Sequence, residues 1–147
     1  MFRRIILATD GSKDALRAAE ICRGLLEQNT EAELLVLHAQ MSVTGLAAAD
    51  LGHAPINMAA INDALAGAAK HSIDATLRVL GEHGNRVSQH IEHGDAARVV
   101  TEKAKELSAD LVVVGSRGLS GVASLLMGSV STKIVQMAPC SVLVARH

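Results

Sequence analysis

The chain has 147 residues, 49% of them hydrophobic, yet Phe2 is its only Phe, Tyr or Trp. A chain of this length buries about 70% of its unfolded surface, so one domain spanning 1–147 with an aliphatic core is expected. Without Tyr, Trp or a second Phe it lacks the large ring platforms on which single-stranded bases usually stack, and interfaces anchored by Trp or Tyr are equally out of reach. A formal net charge of −1, with Arg3-Arg4 as the one basic doublet singled out, does not suit nucleic acid.

The elements alternate in kind along the chain. Ile5-Ile6-Leu7-Ala8 is a short apolar run closed by Thr9-Asp10-Gly11-Ser12, as expected of a strand buried on both faces. Ser12 caps a helix to about Gln28, with Ala15, Ala18, Ala19, Cys22, Leu25 and Leu26 at helical spacing. Leu34 to Ala39 is a second buried strand, with His38 near its end. The segment from Met41 to Ile56, holding Gly45, Gly52 and Pro55, is expected as a mobile loop. A long helix follows from about Asn57 to His83, with Ile61, Leu65, Ala69, Ile73, Leu77 and Leu80 along one side. Arg86 to His93 alternates like an exposed edge strand. Gly94-Asp95 opens a helix with Ala96, Val99, Val100, Ala104 and Leu107 turned inward. Leu111 to Val114 is the most strand-like run, a glycine-rich loop follows, and Ser129 to Met137 is helical. Ala138-Pro139 ends that helix, and Cys140 to Ala145 is the last strand.

Helical crossovers between strands predict an α/β fold. The expected sheet has five parallel strands in the order 3-2-1-4-5, doubly wound and Rossmann-like, with helices on both faces. Ligands of such sheets bind beyond the carboxyl ends of the strands. The residues there are Thr9-Asp10-Gly11, His38-Ala39 and Gly115-Ser116. The last strand lies at an edge, where uncovered backbone invites pairing. A C2 homodimer through Cys140, Val142 and Val144 is the expected arrangement.

The glycine loop carries the chemistry. Gly115, Gly118 and Gly128 let backbone approach an anion, and the helix opening at Ser129 offers free N–H groups. Hydroxyls of Ser129, Ser131 and Thr132, and the charges of Arg117 and Lys133, are further candidates. G-x-G-x-x-G and G-x-x-x-x-G-K-[ST] are both absent, and Gly118-Leu119-Ser120-Gly121 falls one residue short of a hydrolase elbow. On composition alone, a plain surface loop fits equally well.

The spacing G-x2-G-x9-G-[ST], from Gly115 through Gly118 to Gly128-Ser129, resembles the ATP-binding motif of the universal stress protein family. The run from Ile5 to Ser12, Val36-Leu37-His38-Ala39, and the tail from Val112 to Val144 are similar to that family's first strand, second strand and last third. The resemblance implies that Asp10 accepts the ribose hydroxyls, for which a carboxylate is suited. It also implies that the backbone of Ala39 meets adenine. The ribose and phosphates would be surrounded by Gly115, Gly118, Gly128, Ser129, Val130 and Ser131, and Ala8, Thr9, Ser116 and Arg117 complete the implied set. Ala39 departs from the bulkier aliphatic common there, leaving less packing on the base. The implied protein is a cytoplasmic, stress-responsive regulator that binds ATP, with or without Mg²⁺. A slow ATPase or autophosphorylating enzyme and a nucleotide-independent interaction module are the alternatives.

Other residues point elsewhere. Cys22 and Cys140 read as small buried thiols in a reducing compartment. His90 and His93 stand three apart on a strand, on opposite faces, so no shared metal is expected. His38 reads as a hydrogen-bonded structural histidine. Asp10 could also be a phosphoacceptor, but that chemistry needs an acidic cluster at neighbouring strand ends, which here carry His38 and Gly115-Ser116. No signal peptide and no membrane span are expected.

Overall fold

A computed structural model describes residues 1–42, 57–119 and 127–147. The expected mobile loop lies almost wholly outside them, as does the middle of the glycine loop. In order, the elements are β1 (Arg4–Ala8), α1 (Lys13–Gln28), β2 (Glu33–Gln40), α2 (Met58–Leu80), a 3-10 turn (Gly84–Arg86), β3 (Val87–His93), α3 (Ala96–Glu106), β4 (Leu111–Gly115), α4 (Ser129–Met137) and β5 (Ser141–Ala145). The strands form one parallel sheet in the order β3-β2-β1-β4-β5. This is the expected Rossmann-like arrangement, with the chain reversing its direction of growth at β1.

Alternation along each strand sorts the core into two layers. Ile5, Leu7, Leu34, Val36, Leu111 and Val113 point to the side of α1 and α2, where Ala18, Ala19, Cys22, Leu26, Ile73 and Leu80 meet them. Ile6, Ala8, Leu37, Val112 and Val114 point to the other side, against Ala97, Val100 and Ala104 of α3 and Ile134 of α4. Leu7 is fully buried between α1 and neighbouring strands. Leu7→Ala is therefore expected to cost about 3 kcal/mol of unfolding free energy, measurable by urea titration.

Local chemistry sets the helix ends. Ser12 Oγ accepts the Ala15 N–H, Asn57 Oδ1 that of Ala60, and Asp95 Oδ1 that of Arg98. α2 stops at Leu80, three residues before the expected His83, because Gly81 takes φ +77 and breaks the helical path. Leu107, expected inward, is the C-cap of α3 and is 39% exposed. Ala97, rather than Ala96, is the buried alanine of that helix's first turn. Cys22 is buried and apolar surroundings push its thiol up to about 12, which leaves it unreactive. Cys140 is only half-buried, so the pair of buried thiols is corrected to one. Among the described residues, no helix is long and apolar enough to cross a membrane.

Candidate nucleotide site at the carboxyl end of the sheet

A cleft of about 500 Å³ opens on the α3/α4 side, where β1 and β4 part. All twelve residues singled out in the sequence line it: Ala8, Thr9 and Asp10 from the end of β1, Ala39 from β2, Gly115 to Gly118 after β4, and Gly128 to Ser131 at the start of α4. Its floor is a cross-strand row, Leu37 beside Ala8 beside Val114, and Ala96 and Val100 form an apolar wall. One half is thus aliphatic, and the other is lined by backbone, hydroxyls and charge.

Leu37, Val114, Ala96 and Val100 were not singled out as site residues. The strand pair was identifiable by its place at the strand ends. The helix pair was not, because their facing depends on how α3 docks.

Backbone geometry shapes the aliphatic half. The N–H and C=O of one strand residue point to one side, and the next residue's point to the other. The Leu37 carbonyl accepts the Thr9 N–H at 3.0 Å on the β1 side, and the Gln40 carbonyl accepts the Gly94 N–H at 3.0 Å on the β3 side. Ala39 therefore turns its own N–H and C=O toward β1, past the last β1 residue that pairs with β2. These groups face the cleft. His38 lies on the opposite sheet face from Leu37 and Ala39, and its Nδ1–H donates to the Thr9 carbonyl at 2.9 Å. It is a structural histidine, as expected.

The turn after β1 is braced from α2. Thr76 Oγ1 donates to the Ser72 carbonyl at 2.8 Å, so Thr9 must supply the proton of the 2.7 Å Thr9–Thr76 bond. Thr9 Oγ1 in turn accepts from the Gly11 N–H, and Ser72 Oγ donates to the Asp10 carbonyl at 2.9 Å. These hydroxyls are buried, and every buried side-chain polar atom among the described residues has a partner. Gly11, at φ +76, packs on Ser72, where a Cβ would come within 3.0 Å of its hydroxyl. The backbone that carries Asp10 is thereby held. Asp10 Oδ1 accepts the Ser12 N–H at 3.0 Å and Oδ2 the Leu119 N–H at 3.1 Å. A carboxylate has about four acceptor positions, so both oxygens keep capacity toward the cleft.

The three glycines of the motif serve different ends. A Cβ on Gly115 would lie 2.7 Å from the Ala15 nitrogen and the Asp14 carbonyl carbon, so this glycine lets α1 pack on β4. On Gly118 it would lie 2.7 Å from Asp10 Oδ2, so this one admits the carboxylate. Gly128 sits 3.3 Å by the same measure from the Ser116 carbonyl, which accepts its N–H. Gly128 is the N-cap of α4 and no side chain caps the helix. The leading amides of α4, on cleft-lining residues, are left for a ligand or water. Ser131 and Thr132 are corrected as donors: Ser131 Oγ donates to the Ser116 and Gly128 carbonyls, and Thr132 Oγ1 to Gly128.

Asp14, which the sequence did not mark, ties this loop together. It is 4% exposed. Its Oδ2 accepts from Ser116 Oγ at 2.5 Å and the Arg117 N–H at 3.1 Å, with Arg117 Nε 3.5 Å away; Oδ1 accepts the His147 N–H at 3.0 Å. Burial works against its charge, but the bonds from Ser116 and His147 and the Arg117 guanidinium outweigh it. They hold the carboxyl below its ordinary value of 3.8. Among the described residues, no three His, Cys, Asp or Glu side chains group to hold a metal ion.

The comparisons agree with this architecture. A relative from Thermus aquaticus, a universal stress protein in the QAH/OAS sulfhydrylase 3′ region, is 37% identical over 99% of this chain and all of its own. Universal stress protein UspA from Lactobacillus plantarum shares the fold at a TM-score of 0.80 and 23% identity, over 99% of this chain and 98% of that one. A family protein from Arabidopsis thaliana, solved with AMP bound, matches at a TM-score of 0.65 and 23% identity, over 99% and 92% of the two chains. The universal stress protein family model matches residues 1–146. With the sheet order, the reversal at β1 and a match over nearly its whole length, the chain belongs to the universal stress protein family.

Proposed function

We propose that this cleft binds an adenine nucleotide and that the protein is a stress-response regulator read out through its occupied and empty states. The observation that carries this is the open peptide edge of Ala39 beside an aliphatic floor, with the Asp10 carboxylate across from it. A purine laid on Leu37, Ala8 and Val114 would find a donor and an acceptor at Ala39. The ribose diol would reach Asp10, and phosphate would meet the leading amides of α4. The relative with bound AMP supports the ligand class, and the G-x2-G-x9-G-S resemblance extends it to ATP. Sandwiching of the base between Phe, Tyr or Trp rings is excluded, since Phe2 is the one such residue and precedes β1 at the far end of the sheet. Base selectivity then rests on Ala39 peptide bonds and is modest.

Calorimetry with AMP and ATP tests this. Asp10→Ala is expected to weaken either ligand at least about tenfold, because the diol loses a charged acceptor. Unchanged affinity would refute the assignment. Mass spectrometry of the native protein as purified should also reveal retained adenine nucleotide. We further propose a homodimer formed at β5, an edge of the sheet whose Val142, Leu143 and Val144 are half-buried, and a cytoplasmic site of action.

A further inference from the structure

The turn that carries Asp10 is held from a helix that does not line the cleft. Peptide units are planar, so the backbone bends softly only at the two dihedrals of each residue. Fixing the peptide units on both sides of Asp10 therefore fixes where its Cβ points. The unit before it is held by His38, whose Nδ1–H donates to the Thr9 carbonyl at 2.9 Å. The unit after it is held at both ends from α2. Its carbonyl, on Asp10, accepts from Ser72 Oγ at 2.9 Å. Its N–H, on Gly11, donates to Thr9 Oγ1 at 3.2 Å, and that hydroxyl donates to Thr76 Oγ1 at 2.7 Å. The relay closes where Thr76 Oγ1 donates to the Ser72 carbonyl, one helical turn back. Ser72 and Thr76 share one face of α2, both are buried, and neither lines the cleft. The other buried residues of that helix are Ala69, Ile73 and Leu80. A helix that only had to cover the sheet could do so with such apolar groups, since a buried hydroxyl is costly unless it is bonded. Thr101 of α3 shows the plainer use: it is buried too, and its hydroxyl donates to the Ala97 and Arg98 carbonyls of its own helix. Both α2 hydroxyls instead reach across 62 and 67 positions to one turn, the one that presents a carboxylate to the cleft.

We propose, resting on the nucleotide reading above with Asp10 as the ribose acceptor, that Ser72 and Thr76 are positioning residues for the ribose. Through them α2 sets the preference of the site for ribonucleotides over 2′-deoxyribonucleotides. Hydrogen bonds weaken steeply with distance and angle, so a turn released from α2 no longer aims Asp10 at both hydroxyls. AMP and 2′-deoxy-AMP are titrated into the full chain by calorimetry. Wild type is expected to prefer AMP at least about fivefold, and Asp10→Ala to bind the two alike. Ser72→Ala and Thr76→Val remove one hydroxyl each and should cut the preference at least about threefold, mainly by weakening AMP. Thr76→Ser keeps the hydroxyl and should stay within about twofold of the wild-type preference. A purely structural role gives a different result: a lower Tm, with both ligands weakened by one factor or not at all. That result in Ser72→Ala and Thr76→Val overturns the proposal, and so does a Thr76→Ser variant that loses the preference as Thr76→Val does. If Thr76→Val does not fold, Ser72→Ala decides alone. A wild type that binds both ligands alike refutes Asp10 as the ribose acceptor, and the role of α2 with it. A wild type that binds neither refutes the nucleotide reading itself, a different outcome from any of these.

Discussion

Replacing Asp14 with alanine is expected to lower the unfolding free energy by about 3 kcal/mol. The loss has three sources. The Ser116 hydroxyl, 2% exposed, loses its acceptor. The N–H groups of Arg117 and His147 lose theirs, and the Arg117 guanidinium loses its counter-charge. Urea unfolding at neutral pH measures it. The pH dependence follows from the lowered carboxyl. A group whose folded value lies below its unfolded one stabilises fully above the unfolded value and loses that contribution as pH falls through the folded one. The stability gap between wild type and Asp14→Ala should be flat above about pH 4. It should shrink as the pH falls further. A gap that widens in acid would show that the carboxylate is not the stabilising form.

Gly115→Ala and Gly118→Ala should fail in different ways, although both remove a motif glycine. At Gly115 the added methyl meets helix backbone at 2.7 Å, and backbone of a capped helix has nowhere to go. A loss of about 2–3 kcal/mol is expected, seen as a lower Tm. At Gly118 the methyl meets a carboxylate oxygen at 2.7 Å, and a side chain can swing aside. Stability should change by less than about 1 kcal/mol. Nucleotide affinity, on the function proposed above, should fall at least about tenfold, because the displaced group is the ribose acceptor. Thermal melts with and without AMP separate the two. Equal loss of Tm in both variants would mean that the glycines share one structural role.

Local pattern decides what depends on neighbours along the chain. The Ser12 cap, the helix starts near Asn57 and Asp95, the limits of α4 and the strand positions followed from residue type and spacing. The parallel sheet followed as well, because all the crossovers are helical, and the observed order is one of the few that such crossovers leave open. So did the place of the cleft, which lies at the carboxyl ends of the strands, where doubly wound sheets leave a crevice. Leu107 went astray because helical periodicity continues past the point where the helix stops. Ala96 did so because the docking of α3 decides which alanine of the first turn faces the core.

Asp14 is the clearest case of what the chain pattern hides. In the first turn of an amphipathic helix a carboxylate reads as a solvated end-charge favoured by the helix dipole. Its partners Ser116, Arg117 and His147 lie more than 100 positions away. Nothing local marks it, since burial and charge pairing there exist only once β4 and the chain beyond β5 close over α1. The same holds for the glycines. Sequence by itself determined that three of them stand at a ligand-type spacing after the strongest strand. Only the tertiary structure decided that one admits a helix, one a carboxylate and one a loop carbonyl, because a missing Cβ matters only for what is packed against it.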